Sequence, residues 1–248
     1  VSAITFTIDS FKTQTHMADD ETHLFRTSWG LYDALSEKNY MFHREIYAII
    51  AGMLHQRREQ GGAYAMLDLG CGNTRFLAPC LHAAPPSRYE GVDLSQTALE
   101  EARDYLKGLD NVTLRCKDML DAMRESARNS LDTIFSGYAV HHLDAGEKQQ
   151  LFHACAESLS PGGRFILVDI ARQEGETREQ YLDTYLSTMR TEWTALRPED
   201  MEAACAHVAT YDFPETVADL MRMGTAASFR DIQLVDCFAQ HHVLVFQK

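Results

Sequence analysis

The sequence predicts an α/β fold in which a mostly parallel sheet is covered by helices on both faces. Three observations carry this expectation. From about residue 63 to residue 170, short apolar runs of strand length alternate with helical patterns. The first of these runs ends in a glycine turn, Asp68-Leu-Gly70-Cys-Gly72. Two further apolar runs, Phe229–Phe238 and Val243–Phe246, close the chain and read as a pair of strands. Alternation of this kind is characteristic of parallel strands packed under crossover helices. With 248 residues, 45% of them hydrophobic and 24% charged, the chain can build one large domain with an ordinary core.

The elements follow in order. Residues 1 to about 20 are polar and carry little pattern. From about Leu24 to Gln60, apolar residues such as Trp29, Tyr32, Leu35, Ile46, Ile49 and Ile50 recur at helical spacing, and Gly61-Gly62 supply a stop. Ala63–Leu69 is the first buried strand. A helix from Phe76 ends before Pro85-Pro86. Tyr89–Asp93 is the second strand, and Ser95 caps a helix running to Leu106 with Ala98 and Leu99 inward. Val112–Arg115 is the third strand, with a short helix after Asp118. Leu131–Gly137 is the fourth, Asp144–Leu159 a helix, and Arg164–Ile170 the fifth strand after the turn Ser160-Pro-Gly-Gly163.

The alternation then breaks. Residues 171–226 are charged and helical, with candidate helices near 177–196, 199–209 and 214–223. An insert of this length exceeds a simple crossover, so it reads as a helical cap over the active site. The expected division is therefore an N-terminal helical cap segment at 1–62, a cofactor-binding core at 63–170, the cap insert at 171–226, and a strand pair at 227–248 that completes the sheet.

Charge and composition exclude several functions. A formal net charge of −13, with no basic run, disfavours DNA or RNA as partner. No apolar stretch reaches the roughly 20 residues that cross a bilayer. The six cysteines, at 71, 80, 116, 155, 205 and 237, show no zinc-like spacing, and no metal ligands are assigned. Reduced thiols fit a cytoplasmic protein.

The glycine turn suits a nucleotide, because glycine lets backbone approach a ligand closely. A short glycine motif also occurs as a tight turn with no ligand. Asp93, at the end of the second strand, stands where an acidic residue accepts bonds from ribose hydroxyls in dinucleotide folds. It can instead cap the helix that follows. Asp118-Met119, after the third strand, offers an acceptor for an adenine amino group and a side chain for the ring face. Asp118 is equally a helix N-cap.

Five segments in the expected order, LDLGCGNTRFL at 67–77, YEGVDLSQTALEEAR at 89–103, CKDML at 116–120, LDTIFSGYAVHHL at 131–143 and LSPGGRFILVDI at 159–170, resemble class I S-adenosylmethionine-dependent methyltransferases of the small-molecule type. The resemblance covers about residues 64–170. It implies a Rossmann-like, mostly parallel seven-stranded sheet with an antiparallel C-terminal edge strand, N-terminal helices and a helical cap insert. It also implies S-adenosylmethionine as cofactor and S-adenosylhomocysteine as product. Asp68, Gly70, Cys71 and Gly72 would surround the methionine part, and Asp93 the ribose. Leu94, Asp118 and Met119 would meet the adenine, with Ser136 and Gly137 beside the sulfonium. Thr74 departs from the family, many members of which have a third glycine there. That departure weakens an NAD reading, since the third glycine serves close helix–strand packing in dinucleotide sites.

For the acceptor, His141 and His142 follow the fourth strand and titrate near neutrality, so either suits general-base work or orientation. Tyr138 is a third catalytic candidate. The alternative is a packed pair with no catalytic duty. Tyr32, Tyr40 and Arg44 are candidate substrate-binding residues in the N-terminal segment, and Trp193 in the insert. Tyr181, Tyr185, Arg190 and Arg197 could line the same pocket or pack within the insert. The expected partner is a small-molecule methyl acceptor, handled by a monomer or homodimer. An NAD-dependent oxidoreductase, a noncatalytic cofactor-binding module and a protein methyltransferase are the rival readings.

Overall fold

The computed structural model describes residues 5–7 and 37–248. Its strands are β1 (Thr5–Thr7), β2 (Ala65–Leu69), β3 (Arg88–Asp93), β4 (Val112–Cys116), β5 (Leu131–Gly137), β6 (Leu159–Ile170), β7 (Asp231–Phe238) and β8 (His241–Gln247). Its helices are α1 (His43–Gly61), α2 (Leu77–Ala83), α3 (Gln96–Tyr105), α4 (Met119–Glu125), α5 (Ala145–Ser158), α6 (Arg178–Glu192), α7 (Pro198–Tyr211) and α8 (Val217–Ala226). A 3-10 turn occupies Val140–His142.

All strands join one sheet in the order β1-β4-β3-β2-β5-β6-β8-β7. The seven strands read from the sequence are present, and the three-residue β1 adds a parallel eighth beside β4. The closing pair forms a hairpin, but β8 rather than β7 lies against β6, antiparallel to both neighbours. From β2 the chain moves outward through β3 and β4, then returns to β5 on the other side. That reversal opens a crevice at the carboxyl ends of β2 and β5, where ligands bind in open α/β sheets.

Alternate strand residues feed two cores. On one face Ile46, Ile50 and Leu54 of α1, Leu77 and Leu81 of α2, and Leu99 of α3 pack on Met66, Tyr89, Leu114 and Phe135. On the other, Leu120 and Met123 of α4, Leu151 and Phe152 of α5, and Leu220 of α8 pack on Leu67, Leu69, Ile134 and Phe246. Gly224 permits the close approach of α8 to β8, since a Cβ there would lie 2.5 Å from the Phe246 ring. The last helix of the expected cap insert is therefore a sheet-covering helix. Helices α6 and α7 instead form a separate cluster with Ile170 of β6, around Tyr181, Tyr185, Met189, Trp193 and Met201.

Caps end the helices where the sequence places them. Ser95 accepts from the Ala98 N–H at α3. Asp144 and Glu147 form a reciprocal capping box at α5, as do Thr177 and Gln180 at α6. The helical pattern read from Leu24 does not run unbroken into α1. Asn39 and Phe42 adopt left-handed conformations (φ 59° and 56°), so a turn separates residue 37 from His43. The earlier part of that pattern, with Tyr32, lies outside the described residues.

Candidate active site

A cavity of about 300 Å³ opens at the crevice between β2 and β5. The β2 turn forms its floor. Gly70 has φ 67°, and a Cβ at that position would lie 2.4 Å from the Ala139 Cβ, so no larger residue fits without displacing the loop after β5. The Gly72 N–H donates to Asp93 Oδ2 at 2.8 Å, and the Ser95 N–H donates to Asp93 Oδ1 at 2.8 Å. Asp93 thus ties the glycine turn to the start of α3. A carboxylate has about four lone-pair sites, so acceptor capacity remains for a ligand. Burial raises the Asp93 pKa against the pull of these backbone bonds.

Asp68 is 2% exposed. Its Oδ2 accepts from the Tyr89 hydroxyl at 2.7 Å, while Oδ1 has no hydrogen-bond partner. Burial, against the Tyr89 bond and with help from the Asp93 charge, pushes its pKa up to about 7. A buried orphan acceptor of this kind costs roughly 1–3 kcal/mol, and a cationic donor arriving in the cavity would recover that cost. Cys71 also lines the cavity, its thiol pushed well up by burial.

The adenine-side candidates sit together. Leu94 lines the cavity with 44% of its surface exposed, and Met119 lines it as well. Asp118 uses Oδ1 to cap α4, accepting from Leu120 and Asp121 N–H groups at 2.8 and 3.1 Å, and still lines the cavity. Both sequence readings of Asp118 are therefore geometrically compatible. Gly137 lines the cavity, but Ser136 does not. The Ser136 hydroxyl is fully buried and donates to the Leu69 carbonyl at 2.8 Å, which locks β5 to β2.

Of the catalytic candidates, Tyr138 and His142 face the cavity and His141 lies behind it. Tyr138 adopts a left-handed conformation (φ 57°), and its hydroxyl donates to the Met41 carbonyl. His141 is held by Asp169, which accepts from its backbone N–H at 2.8 Å and pairs with its Nδ1. Burial pulls the His141 pKa down, but the Asp169 and Asp212 carboxylates outweigh it and the net shift is upward. His142 is pushed well down by burial and by the neighbouring His141.

The substrate-binding candidates are placed elsewhere. Tyr40 stacks on Trp193 with ring centroids 5.4 Å apart, and its hydroxyl accepts from the Ala195 N–H at 3.0 Å. These two rings fasten the segment before α1 to the α6–α7 pair instead of lining the cavity. Arg44 reaches back to the Glu37 carbonyl at the surface. Tyr181 and Tyr185 are buried within the α6–α7 cluster, and Arg190 and Arg197 pair with Glu202 and Asp200. Aromatic spacing on a helix does not distinguish packing from lining, and packing holds here. Helix α7 contributes His207 and Tyr211 to the cavity wall instead. Their i, i+4 spacing on α7 was the available signal, and it points to a face only once the helix is docked.

Thr74, the departure from the glycine pattern, is left-handed (φ 59°), 4% exposed, and its hydroxyl has no partner. A β-branched residue in this region carries roughly 1–3 kcal/mol of strain. Thr74→Gly is expected to raise the melting temperature by a few degrees, the strain relief exceeding the roughly 0.5–1 kcal/mol entropic cost of glycine. Scanning calorimetry checks this, and a lower melting temperature would contradict the strain assignment.

Comparison with known proteins fits this geometry. Residues 66–163 match the family model described as a methyltransferase domain. The phosphoethanolamine N-methyltransferase of Plasmodium falciparum is 26% identical over 116 residues, 46% of this chain and 43% of that protein. The aclacinomycin 10-hydroxylase RdmB of Streptomyces purpurascens is 28% identical over 123 residues, 49% of this chain and 32% of that protein. The match thus spans less than half the length of both relatives. Among solved structures, an S-adenosylmethionine-dependent methyltransferase from Archaeoglobus fulgidus superposes with a TM-score of 0.54 at 15% identity, covering 84% of this chain and 99% of that one.

Residues 66–163 thus match a methyltransferase domain, and the fold is one shared with S-adenosylmethionine-dependent methyltransferases, whose cofactor is S-adenosylmethionine. The residues present fit that group. The orphan Asp68 Oδ1 suits its ammonium, and the β2 turn has space only for backbone.

Proposed function

We propose that this protein moves a methyl group from S-adenosylmethionine to a nucleophilic oxygen, nitrogen or sulfur atom of a small molecule. The observation that carries the proposal is the buried, unpartnered Asp68 Oδ1 in a cavity floored by the glycine turn and walled by Asp93. Bound cofactor supplies a methyl carbon on a cationic sulfur; the acceptor's lone pair forms the new bond as the carbon–sulfur bond breaks and its electrons return to sulfur.

The chain's own residues do the rest. Asp68 holds the amino group, Asp93 the ribose hydroxyls, and Leu94, Asp118 and Met119 the adenine. The Gly70–Gly72 turn and Gly137 flank the methionine part. His142 and Tyr138, on the loop after β5, orient the acceptor, and α7 closes the far wall with His207 and Tyr211. Catalysis then rests on alignment and exclusion of water. We read the α6–α7 pair as the acceptor-side cap, and the protein as a cytoplasmic monomer or homodimer acting on a metabolite. Among the described residues no helix is long and apolar enough to cross a membrane.

The ammonium contact has a pH signature. A carboxyl whose folded pKa lies above its unfolded one contributes stability below the unfolded value, and loses it as pH rises through the folded one. Asp68 moves from 3.8 to about 7, so the cofactor-free protein loses its contribution between those values. Cofactor binding has the opposite sign, because the ammonium pairs with the ionised form. Affinity is expected to rise about tenfold from pH 6 to pH 8 through this group. Asp68→Asn should remove that increment in parallel titrations; identical pH profiles would contradict the contact.

The activity itself is tested by incubating the protein with S-adenosylmethionine and a panel of thiol, amine, phenol and carboxylate metabolites, read by mass spectrometry. The expected result is one acceptor gaining a methyl group with equimolar S-adenosylhomocysteine. Tight cofactor binding with no product over the enzyme-free control would favour a noncatalytic binding role.

A further inference from the structure

Behind the cavity, at the junction of the 3-10 turn and the end of α7, His141, His142 and Asp212 converge. One ligand atom from each lies within 4.8 Å of the others. We infer that these three residues form a binding site for a divalent transition-metal ion, zinc or a late first-row neighbour.

Three observations support this. The first is spacing. Asp212 Oδ1 lies 3.7 Å from His141 Nε2 and 3.7 Å from His142 Nδ1. Ligand bonds of about 2.1 Å in a tetrahedron put ligand atoms about 3.4 Å apart, so the two carboxylate–imidazole distances need contract by only a few tenths of an ångström to share one ion. The second is the orphan acceptor. Asp212 is 3% exposed, and its Oδ1 has no hydrogen-bond partner. A buried carboxylate oxygen aimed between two imidazoles with no hydrogen bond of its own is costly, and a bound cation would offset that cost.

The third is the support around the ligands. Asp169 grips His141 through both its Nδ1 and its backbone N–H, which leaves Nε2 directed at Asp212. A histidine ligand backed by a carboxylate on its other nitrogen is the usual outer-shell arrangement of metal sites. The Asp212 backbone is equally fixed. Its N–H donates to the Val208 carbonyl, Arg178 donates to its carbonyl at 2.7 Å, and the next residue, Phe213, donates to the His141 carbonyl at 2.8 Å. His142 Nδ1 lies 3.1 Å from the Tyr211 carbonyl, a contact that an ion on Nδ1 would replace.

Two imidazoles and one carboxylate suit zinc, cobalt, nickel or iron better than magnesium or calcium. Three protein ligands leave at least one position open, as in catalytic zinc sites. His142 is the member that also lines the cavity, so the open position is reachable from there. A hydroxyl of the acceptor would suit it; that role rests on the methyl-transfer reading, whereas metal binding does not. Linear spacing hides the set, because the carboxylate arrives from the end of a distant helix.

The test uses the full chain, stripped with chelator, without S-adenosylmethionine. Titration with cobalt(II) chloride, followed by visible d–d absorption, and with zinc chloride, followed by calorimetry, should show one equivalent bound. His142→Ala and Asp212→Asn should each weaken binding by about 100-fold or more, and Asp169→Asn by about 10- to 100-fold. X-ray absorption of the zinc-loaded wild type needs no variant, and it should show nitrogen and oxygen neighbours near 2.0–2.1 Å with imidazole scattering. Absence of binding, a sulfur shell near 2.3 Å, or unchanged affinity in folded variants would overturn the site.

Discussion

Asp93→Ala is expected to weaken S-adenosylmethionine binding by about 100-fold or more. Two losses combine. Hydrogen bonds to a charged acceptor are worth roughly 1.5–3 kcal/mol each, and the proposed ribose contacts use two of them. The same carboxylate also holds the Gly72 and Ser95 N–H groups, so its removal releases the turn that shapes the cavity floor. The orphaned N–H groups should also lower the stability of the apo variant by roughly 1–3 kcal/mol, less than the loss in binding. Calorimetric titration against the wild type decides the matter, and an affinity within a few-fold of wild type would contradict the assignment.

Gly70→Ala is expected to damage both stability and binding. The left-handed conformation at φ 67° costs a non-glycine residue roughly 1–2 kcal/mol. The new methyl would also stand 2.4 Å from the Ala139 Cβ, well inside van der Waals contact, and must push the loop after β5 outward. The expected melting temperature falls by roughly 5 °C or more, and cofactor affinity by at least about tenfold. Thermal melts with and without S-adenosylmethionine read both effects. A variant that melts like the wild type and gains the usual ligand stabilisation would show that the turn tolerates a side chain.

Much of this was legible from residue order. Apolar runs bounded by glycine, proline and capping residues give β2 through β6 with their helices, because each boundary has a local cause such as the Ser95 cap, the Asp144 box or Pro85. The floor of the cavity was equally readable. Gly70 and Gly72 act through backbone geometry and Asp93 through its carboxylate, all at strand ends, which the sequence encodes locally. The far wall of the cavity was not. Tyr40 and Trp193 have the composition of a pocket wall, yet they spend their surface on each other. His207 and Tyr211 enter the cavity only because of how α7 docks, which no local pattern specifies. Likewise, α8 looks like the third helix of an insert until its packing on Phe246 places it with the sheet. Asp212 becomes a partner of His141 and His142 only through the same docking of α7.

The most direct test of the central claim, that the β2–β5 crevice is an S-adenosylmethionine site, is isothermal titration of the intact chain with S-adenosylmethionine and, in parallel, with NAD. The account predicts one S-adenosylmethionine per chain, competition by S-adenosylhomocysteine, and no NAD heat. Saturable NAD binding with none for S-adenosylmethionine would contradict it.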